Sequence, residues 1–271
     1  MMPELPEVET VRRQLHAALA GQTILKVALY LTGREVPAGP LFVAGVVGKT
    51  VESIDRRAKL LIWRFTDGSG FVGHLKMTGK FLLVPLDYTP AKHDRLKFIT
   101  KSSAVIWNDV RKFGYVKAFA NAAELESLLT SYGPEPLIST AADLASRLLT
   151  PKTRVLKAAL LDQTVIAGIG NIYADEACHR SGLRPTRRLS TLSAAQRLTL
   201  STEIKNVLSA SLALNGTTSN NYLDVNGERG GFVDFLQVYG RAGQPCRTCA
   251  SPIKKLTLAG RGTHYCPQCQ K

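Results

Sequence analysis

Residues able to do chemistry gather at the two ends of the chain. Near the C-terminus, four of the five cysteines stand as Cys246-x2-Cys249-x16-Cys266-x2-Cys269. Two CxxC pairs separated by a ribbon-length stretch suit four thiolates arranged tetrahedrally around zinc. Iron or a redox pair are the alternatives that the spacing leaves open. The stretch between the pairs, ASPIKKLTLAGRGTHY, reads as a strand, a Gly-Arg-Gly turn and a second short strand. From Gly240 onward the charged residues are Arg241, Arg247, Lys254, Lys255, Arg261 and Lys271, with no acid among them. A small module of metal and positive charge suits nucleic acid. A folding staple with a solvated basic face is the plainer reading. Cys178, in a helical segment, reads as a small buried hydrophobe.

The other end opens MMPELPEVET. A proline at a helix start is ordinary, because its missing N–H costs nothing at the first helical position. A proline at a mature N-terminus is also a secondary amine. An α-amino group has a pKa of roughly 8, so a useful fraction is neutral and nucleophilic at neutral pH. Such an amine at Pro3 could attack a sugar C1′ and form an iminium ion, with Glu4 moving protons. As written, Met1 and Met2 precede Pro3, so its nitrogen is an amide, delocalised and not nucleophilic. The chemistry therefore requires a form that starts at Pro3.

The 271 residues carry 35 Lys and Arg against 21 Asp and Glu, a net charge of +14, and this surplus calls for a polyanionic partner. An apolar share of 45% supports a real core and argues against a disordered chain. No apolar run approaches the ~18 residues of a membrane span. The acidic N-terminus lacks the basic and apolar regions of a signal peptide, so a cytoplasmic protein is expected.

Elements must position these groups. Val8, Val11, Leu15 and Leu19 mark one helical face, and Gly21 can end that helix. From Gln22 to about Ala120 the runs are short and β-rich: TILKVALYL, LLIWRF, GFVGHL, KFLLVPL, RLKFIT, AVIW and YVKAF. Strands at this spacing predict a sandwich or barrel. Asn121-x-x-Glu124 resembles a capping box, and GPEP at Gly133–Pro136 reads as a linker. Helical patterns follow over 140–149, 153–162, 171–180 and 193–214, the last opened by Ser193-x-x-Gln196. Residues 215–231 are polar and glycine-rich without periodicity, a long loop that is functional or mobile. FLQVYG then reads as a short strand entering the ribbon.

PELPEVET, GPEP, AGIGNIYADE, LQVYGR and the terminal ribbon AGRGTHYCPQCQK, in that order, resemble bacterial formamidopyrimidine-DNA glycosylase along essentially the whole chain. The family excises oxidised purines, notably 8-oxoguanine and formamidopyrimidines, from double-stranded DNA. The related endonuclease VIII branch typically opens PEGPE; Leu5 here favours the purine branch. The resemblance implies an α+β protein: an N-terminal helix plus antiparallel β-sandwich domain (1–132), a helix–two-turns–helix domain (133–236) and a zinc ribbon (237–271). It also implies one structural zinc ion, a monomer, and a cytoplasmic, nucleoid-associated location.

Residue by residue, the resemblance makes Pro3 the nucleophile and Glu4 the acid/base that protonates the deoxyribose ring oxygen. Two eliminations then cut the strand 3′ and 5′ of the lesion. Lys59 faces the lesion and its phosphate, and Glu7 supports the site. Met77, Arg111 and Phe113 fill the void left by the flipped base; their types suit a filler, a partner for the orphaned base and a stacking wedge. His93 is a further DNA contact. Asn171, after Gly168 and Gly170 at a helix start, binds phosphate, as does Arg261 in the ribbon. Residues 217–231 match the lesion-recognition loop. A non-catalytic DNA-binding protein needs no terminal amine, and an RNA-binding or translation accessory factor fits the ribbon but not the Pro3-Glu4 pair.

Overall fold

A computed structural model describes residues 2–30, 39–149, 153–219 and 221–271. Met1, Leu31 and Asn220, which fall in segments read above, lie outside the described residues. The chain divides into two compact units, one of residues 1–130 with 215–231, the other of 131–214 with 232–271.

The first unit opens with α1 (Leu5–Leu19), whose stripe of Val8, Val11, Leu15 and Leu19 is buried. Gly21 beyond its end takes the left-handed φ of 79° that glycine tolerates best. Among the described residues eight strands follow: β1 (Lys26–Leu29), β2 (Val51–Arg57), β3 (Leu60–Phe65), β4 (Gly70–His74), β5 (Gly79–Val84), β6 (Asp94–Ile99), β7 (Ala104–Asp109) and β8 (Tyr115–Phe119). They form two antiparallel four-stranded sheets, ordered β1-β6-β7-β5 and β2-β3-β4-β8. Trp63 of β3 stacks on Phe98 of β6 at 5.3 Å and meets Phe81 of β5 at 5.8 Å, so the sheets face each other across an aromatic core. This is the expected β-sandwich beside an N-terminal helix. A short helix, α2 (Gly39–Val46), interrupts the region read as strands only. Its apolar GPLFVAGV alternates too little to separate helix from strand by period. Helix α3 (Ala122–Leu129) covers the other face of the second sheet, Leu125 packing on Ile62, Val72 and Phe119. Asn121 caps it by accepting the Glu124 N–H at 3.0 Å.

The second unit holds α4 (Ala141–Arg147), α5 (Leu156–Leu161), α6 (Asn171–Arg180) and α7 (Ala194–Ala213), then the hairpin β9 (Lys254–Leu258) and β10 (Arg261–Tyr265). Ser193 and Gln196 form the expected capping box on α7. Gly133–Pro136 is no free linker. Gly133 donates to the Gln163 carbonyl at 2.8 Å, and Pro134 accepts from Ala167 at 3.0 Å. A Cβ at Gly133 would lie 2.6 Å from the Val165 carbonyl oxygen, which is why the position takes glycine. FLQVYG is not a strand either. Residues Phe232–Phe235 form a 3-10 turn. The next N–H groups, of Gln237, Val238 and Tyr239, all donate to the buried Glu176 carboxylate, each at 2.9 Å, rather than to a neighbouring strand. The hairpin turn is Ala259-Gly260, both at positive φ, and Arg261 is the first residue of β10 rather than part of the turn.

Candidate active site and nucleic-acid-binding residues

In the first unit Pro3 is buried and leads directly into Glu4, the N-cap of α1. Both Glu4 and Glu7 are almost wholly buried, at 1% and 0% exposure. They sit where the N-terminal end of the helix dipole favours carboxylate charge. The Glu4 N–H donates to Glu7 Oε2 at 2.8 Å, and Glu7 Oε1 accepts the Thr217 N–H at 2.8 Å. Gly216 approaches so closely that a Cβ there would come within 2.9 Å of the Glu7 side chain. Tyr222 donates to the Glu7 carbonyl and lies in the sandwich core with Val225. Gln14 on α1 bonds Asp224, and Leu83 donates to the Val225 carbonyl at 2.7 Å. The 215–231 segment is therefore anchored over much of its length to α1 and β5.

Lys59 closes the hairpin between β2 and β3. Its predecessor Ala58 has a φ of 54°, a conformation that costs a non-glycine residue of order 1 kcal/mol. Arg56 braces that turn, donating to the Ala58 carbonyl at 2.8 Å and to Glu9 of α1 at 3.0 Å. Lys59 is only 4% exposed, which a solvated surface lysine would not be.

The structure brings Met77, Arg111 and Phe113 together. The Arg111 guanidinium lies over the Phe113 ring at 4.7 Å and reaches Met77 Sδ at 3.0 Å. Phe113 is 52% exposed, so it is not the core residue its type alone would suggest. His93 is half-buried in the turn before β6, its carbonyl accepting the Asp109 N–H. Burial, then the charges of Lys76 and Lys59, lower His74 to about 3. The neutral ring accepts the Lys76 N–H through Nδ1 at 3.0 Å.

In the second unit Asn171 is the first residue of α6. Its amide donates to the Gly262 carbonyl at 3.0 Å, next to Arg261. Asn171 Oδ1 has no hydrogen-bond partner among the described residues. Gly168 has a φ of 84° and donates to Gln163 Oε1, so Gln163 ties the glycine-rich turn. Arg261 is exposed. A fully buried ion pair, Lys157–Asp175 at 2.7 Å, holds the ribbon on these helices. Lys157 also donates to the Gly262 carbonyl and to Thr263, and Asp175 accepts the His264 N–H. Sequence reasoning passed over Lys157, Gln163 and Glu176. Asp175 and Glu176 stood in the AGIGNIYADE motif, but nothing in a linear string shows which distant amides a carboxylate will meet.

The sulfurs of Cys246, Cys249, Cys266 and Cys269 lie within 4.8 Å of one another. Cys246 and Cys269 are 3.9 Å apart, and Cys249 and Cys266 3.4 Å. Bonds of ~2.3 Å to a tetrahedral zinc require edges of ~3.8 Å, so the set fits such an ion and is too open for disulfides. Cys178 is buried apart from them, its thiol pKa raised by desolvation.

The chain matches family models along its length: the formamidopyrimidine-DNA glycosylase N-terminal domain over residues 2–116, the formamidopyrimidine-DNA glycosylase H2TH domain over 132–222, and the zinc finger found in FPG and IleRS over 243–271. It is 40% identical over 273 residues to the formamidopyrimidine-DNA glycosylase of Desulfitobacterium hafniense, covering 99% of this chain and 100% of that one. The chain belongs to the formamidopyrimidine-DNA glycosylase family. It is thus a DNA glycosylase of that family, with a zinc-finger module. The Geobacillus kaustophilus formamidopyrimidine-DNA glycosylase is also 40% identical, over the full length of both chains. Among solved structures, the complex of Lactococcus lactis Fpg with abasic-site DNA superposes with a TM-score of 0.92 at 35% identity, covering 99% of each chain. A structure of MutM with carbocyclic 8-oxo-G DNA gives 0.91 at 35%, covering 99% of this chain and 100% of that one. Among the described residues no helix is long and apolar enough to cross a membrane.

Proposed function

We propose that the protein excises oxidised purines, 8-oxoguanine and formamidopyrimidines, from duplex DNA and then cuts the strand at the resulting abasic site. The observation that carries this reading is the buried Pro3-Glu4 pair at the N-terminus of α1, with Glu7 beside it. Once Pro3 is the first residue, its secondary amine attacks C1′ and the base departs. Glu4 protonates the ring oxygen, the sugar opens, and an iminium ion joins Pro3 to C1′. The iminium acidifies the neighbouring C2′–H, so elimination expels the 3′ phosphate and a second elimination expels the 5′ phosphate. Lys59, buried in its braced turn, meets the lesion side of this chemistry.

Flipping the damaged nucleotide costs a few kcal/mol of stacking. Met77, half-buried, and Arg111 and Phe113, both exposed, are already assembled and occupy the space left behind, with His93 on the same strand system. Asn171 and Arg261 hold phosphates. The four cysteines would hold one zinc ion, which supplies folding energy to the ribbon and takes no part in the bond changes. The test is a duplex with one 8-oxoguanine, incubated with enzyme and borohydride. A covalent complex joined through Pro3, with strand cleavage in the absence of borohydride, is the expected result. Binding with neither outcome would leave a DNA-binding protein and reject the enzyme assignment.

A further inference from the structure

Asp109 is fully buried at the end of β7, and its carboxylate serves two loops at once. One oxygen accepts the Thr78 hydroxyl and the Arg111 N–H, the latter at 3.2 Å. The other accepts the Gly114 N–H at 2.8 Å. Thr78 follows Met77, and its own oxygen also accepts the Arg111 N–H at 3.0 Å. The bonds at Arg111 and Gly114 bracket the segment that displays Arg111 and Phe113. The bond to Thr78 ties that segment to the turn that displays Met77.

The surroundings leave this carboxylate no freedom. Arg95 grips the Asp109 carbonyl with its Nε at 3.0 Å, and the Asp109 N–H goes to His93. A Cβ at Gly114 would lie 3.0 Å from Asp109 Oδ2 and 2.9 Å from the Trp107 ring, so the loop closes only over glycine. A Cβ at Gly79 would lie 2.5 Å from the Leu75 carbonyl oxygen, which fixes the Met77 turn in the same way. Lys76 and Lys112, at φ 49° and 58°, hold left-handed backbone inside the two turns. Strained turns of this kind persist only where fixed partners over-determine them.

We infer that Asp109, acting with Thr78, is the positioning residue that sets Met77, Arg111 and Phe113 in register before DNA arrives. The inference rests on the proposed role of those three in filling the void of a flipped base. A carboxylate is required because all its partners are donors; an amide would turn an NH2 toward one of them. Leaving such a buried donor unmet is worth roughly a tenfold change in rate or more.

The experiment measures strand cleavage at one abasic site in three settings: duplex with C opposite, duplex with A opposite, and single strand. The proteins are wild type, Asp109→Asn, Thr78→Val, Thr78→Ser and Arg111→Ala. A single strand has no void to fill, so it reports on the chemistry alone and on whether each variant is folded. Asp109→Asn and Thr78→Val should lose about tenfold on duplex, compress the C-to-A ratio as Arg111→Ala does, and stay within about twofold of wild type on single strand. Thr78→Ser keeps the hydroxyl and should restore the duplex rate. Equal losses on duplex and single strand, or duplex rates and ratios unmoved while Arg111→Ala shifts them, would overturn the role of Asp109. An Arg111→Ala protein indistinguishable from wild type in all three settings would overturn the void-filling reading beneath it.

Discussion

Glu7 and Thr217 lie 210 positions apart, yet the Thr217 N–H donates to Glu7 Oε1 at 2.8 Å. The second oxygen of the same carboxylate accepts the Glu4 N–H at 2.8 Å. One buried side chain thus joins the candidate catalytic glutamate to the segment that the resemblance assigns to lesion recognition. The backbone of each is fixed by reference to the other, through a group that is itself fully buried.

Excision and strand cleavage should separate at Glu4. Glu4→Gln keeps size and shape but loses the proton-transfer group, so base release from an 8-oxoguanine duplex should fall by about 10²-fold or more. Cleavage of a pre-formed abasic site should suffer less, because that sugar opens spontaneously. Single-turnover rates on the two substrates check this. Normal excision with abolished abasic-site cleavage would reject the role.

The covalent partner should be Pro3. Peptide mapping of the borohydride-trapped complex should find the adduct on a peptide that begins at Pro3, and intact mass of active enzyme should lack Met1 and Met2. An amide nitrogen cannot form the iminium. Trapping through Lys59 in protein that retains Met2 would transfer the nucleophile's role to that lysine.

Removing one thiolate should disable the ribbon without unfolding the sandwich. In Cys249→Ser, bound zinc and DNA affinity should be lost together, while the near-ultraviolet signal of Trp63 and Trp107 in the sandwich core persists. Unchanged DNA affinity in a zinc-free Cys249→Ser protein would sink the proposed role of the ribbon.

Arg261 is exposed at the start of β10. If it neutralises one phosphate, Arg261→Ala should weaken binding on all sequences and flatten the slope of log K against log salt by about 1. A titration series from low to moderate salt measures it. Identical slopes would remove Arg261 from the phosphate contacts.

His74 should give stability a pH dependence of known sign. Its folded pKa is about 3, lowered first by burial and then by Lys76 and Lys59, against an ordinary value of 6.5. Between those limits the unfolded chain binds a proton that the folded chain does not. Stability is therefore complete above about pH 6.5 and falls as pH drops, by ~1.4 kcal/mol per unit for one proton. His74→Asn keeps an acceptor for the Lys76 N–H and does not titrate. Urea unfolding from pH 7 to 5 should fall more steeply for the wild type. Parallel curves would show that His74 is not buried neutral.

The periodic parts of this fold were legible from sequence. The α1 stripe, the Ser193 capping box and the four-cysteine spacing each follow from local rules, and each is found where the pattern puts it. What escaped reading depends on distant partners. Residues 236–240 have strand-like composition, but Glu176 takes three of their N–H groups. Gly133–Pro136 resembles a linker until the Gln163 carbonyl and the Ala167 N–H meet it. Lys157 is an ordinary lysine in the string and a fully buried cation in the fold, because Asp175 arrives from the next helix to pair with it. At the candidate site, the Pro3-Glu4 pair was readable from its residue types, and the Met77, Arg111, Phe113 set only through the family resemblance. The Asp109 carboxylate beneath the latter was not, since its three donors come from two separate turns.

The unit that carries Pro3 is not finished when its strands are. Residues 215–231 belong to it, with Tyr222 and Val225 in its core and Thr217 on Glu7. During synthesis, about a hundred residues must be added after Thr130 before that segment leaves the ribosome, an interval on the order of 5–20 s at ordinary elongation speeds. For that interval the nascent chain holds Glu4 and Glu7 without the segment that braces them. A message broken or a ribosome stalled before codon 217 yields a chain without Thr217, the residue whose N–H meets Glu7, and without Tyr222 and Val225 of the sandwich core. The order of the segments along the gene thus makes the bracing of Glu4 and Glu7 one of the late events of synthesis, completed only after the sandwich strands and most of the second unit have been made.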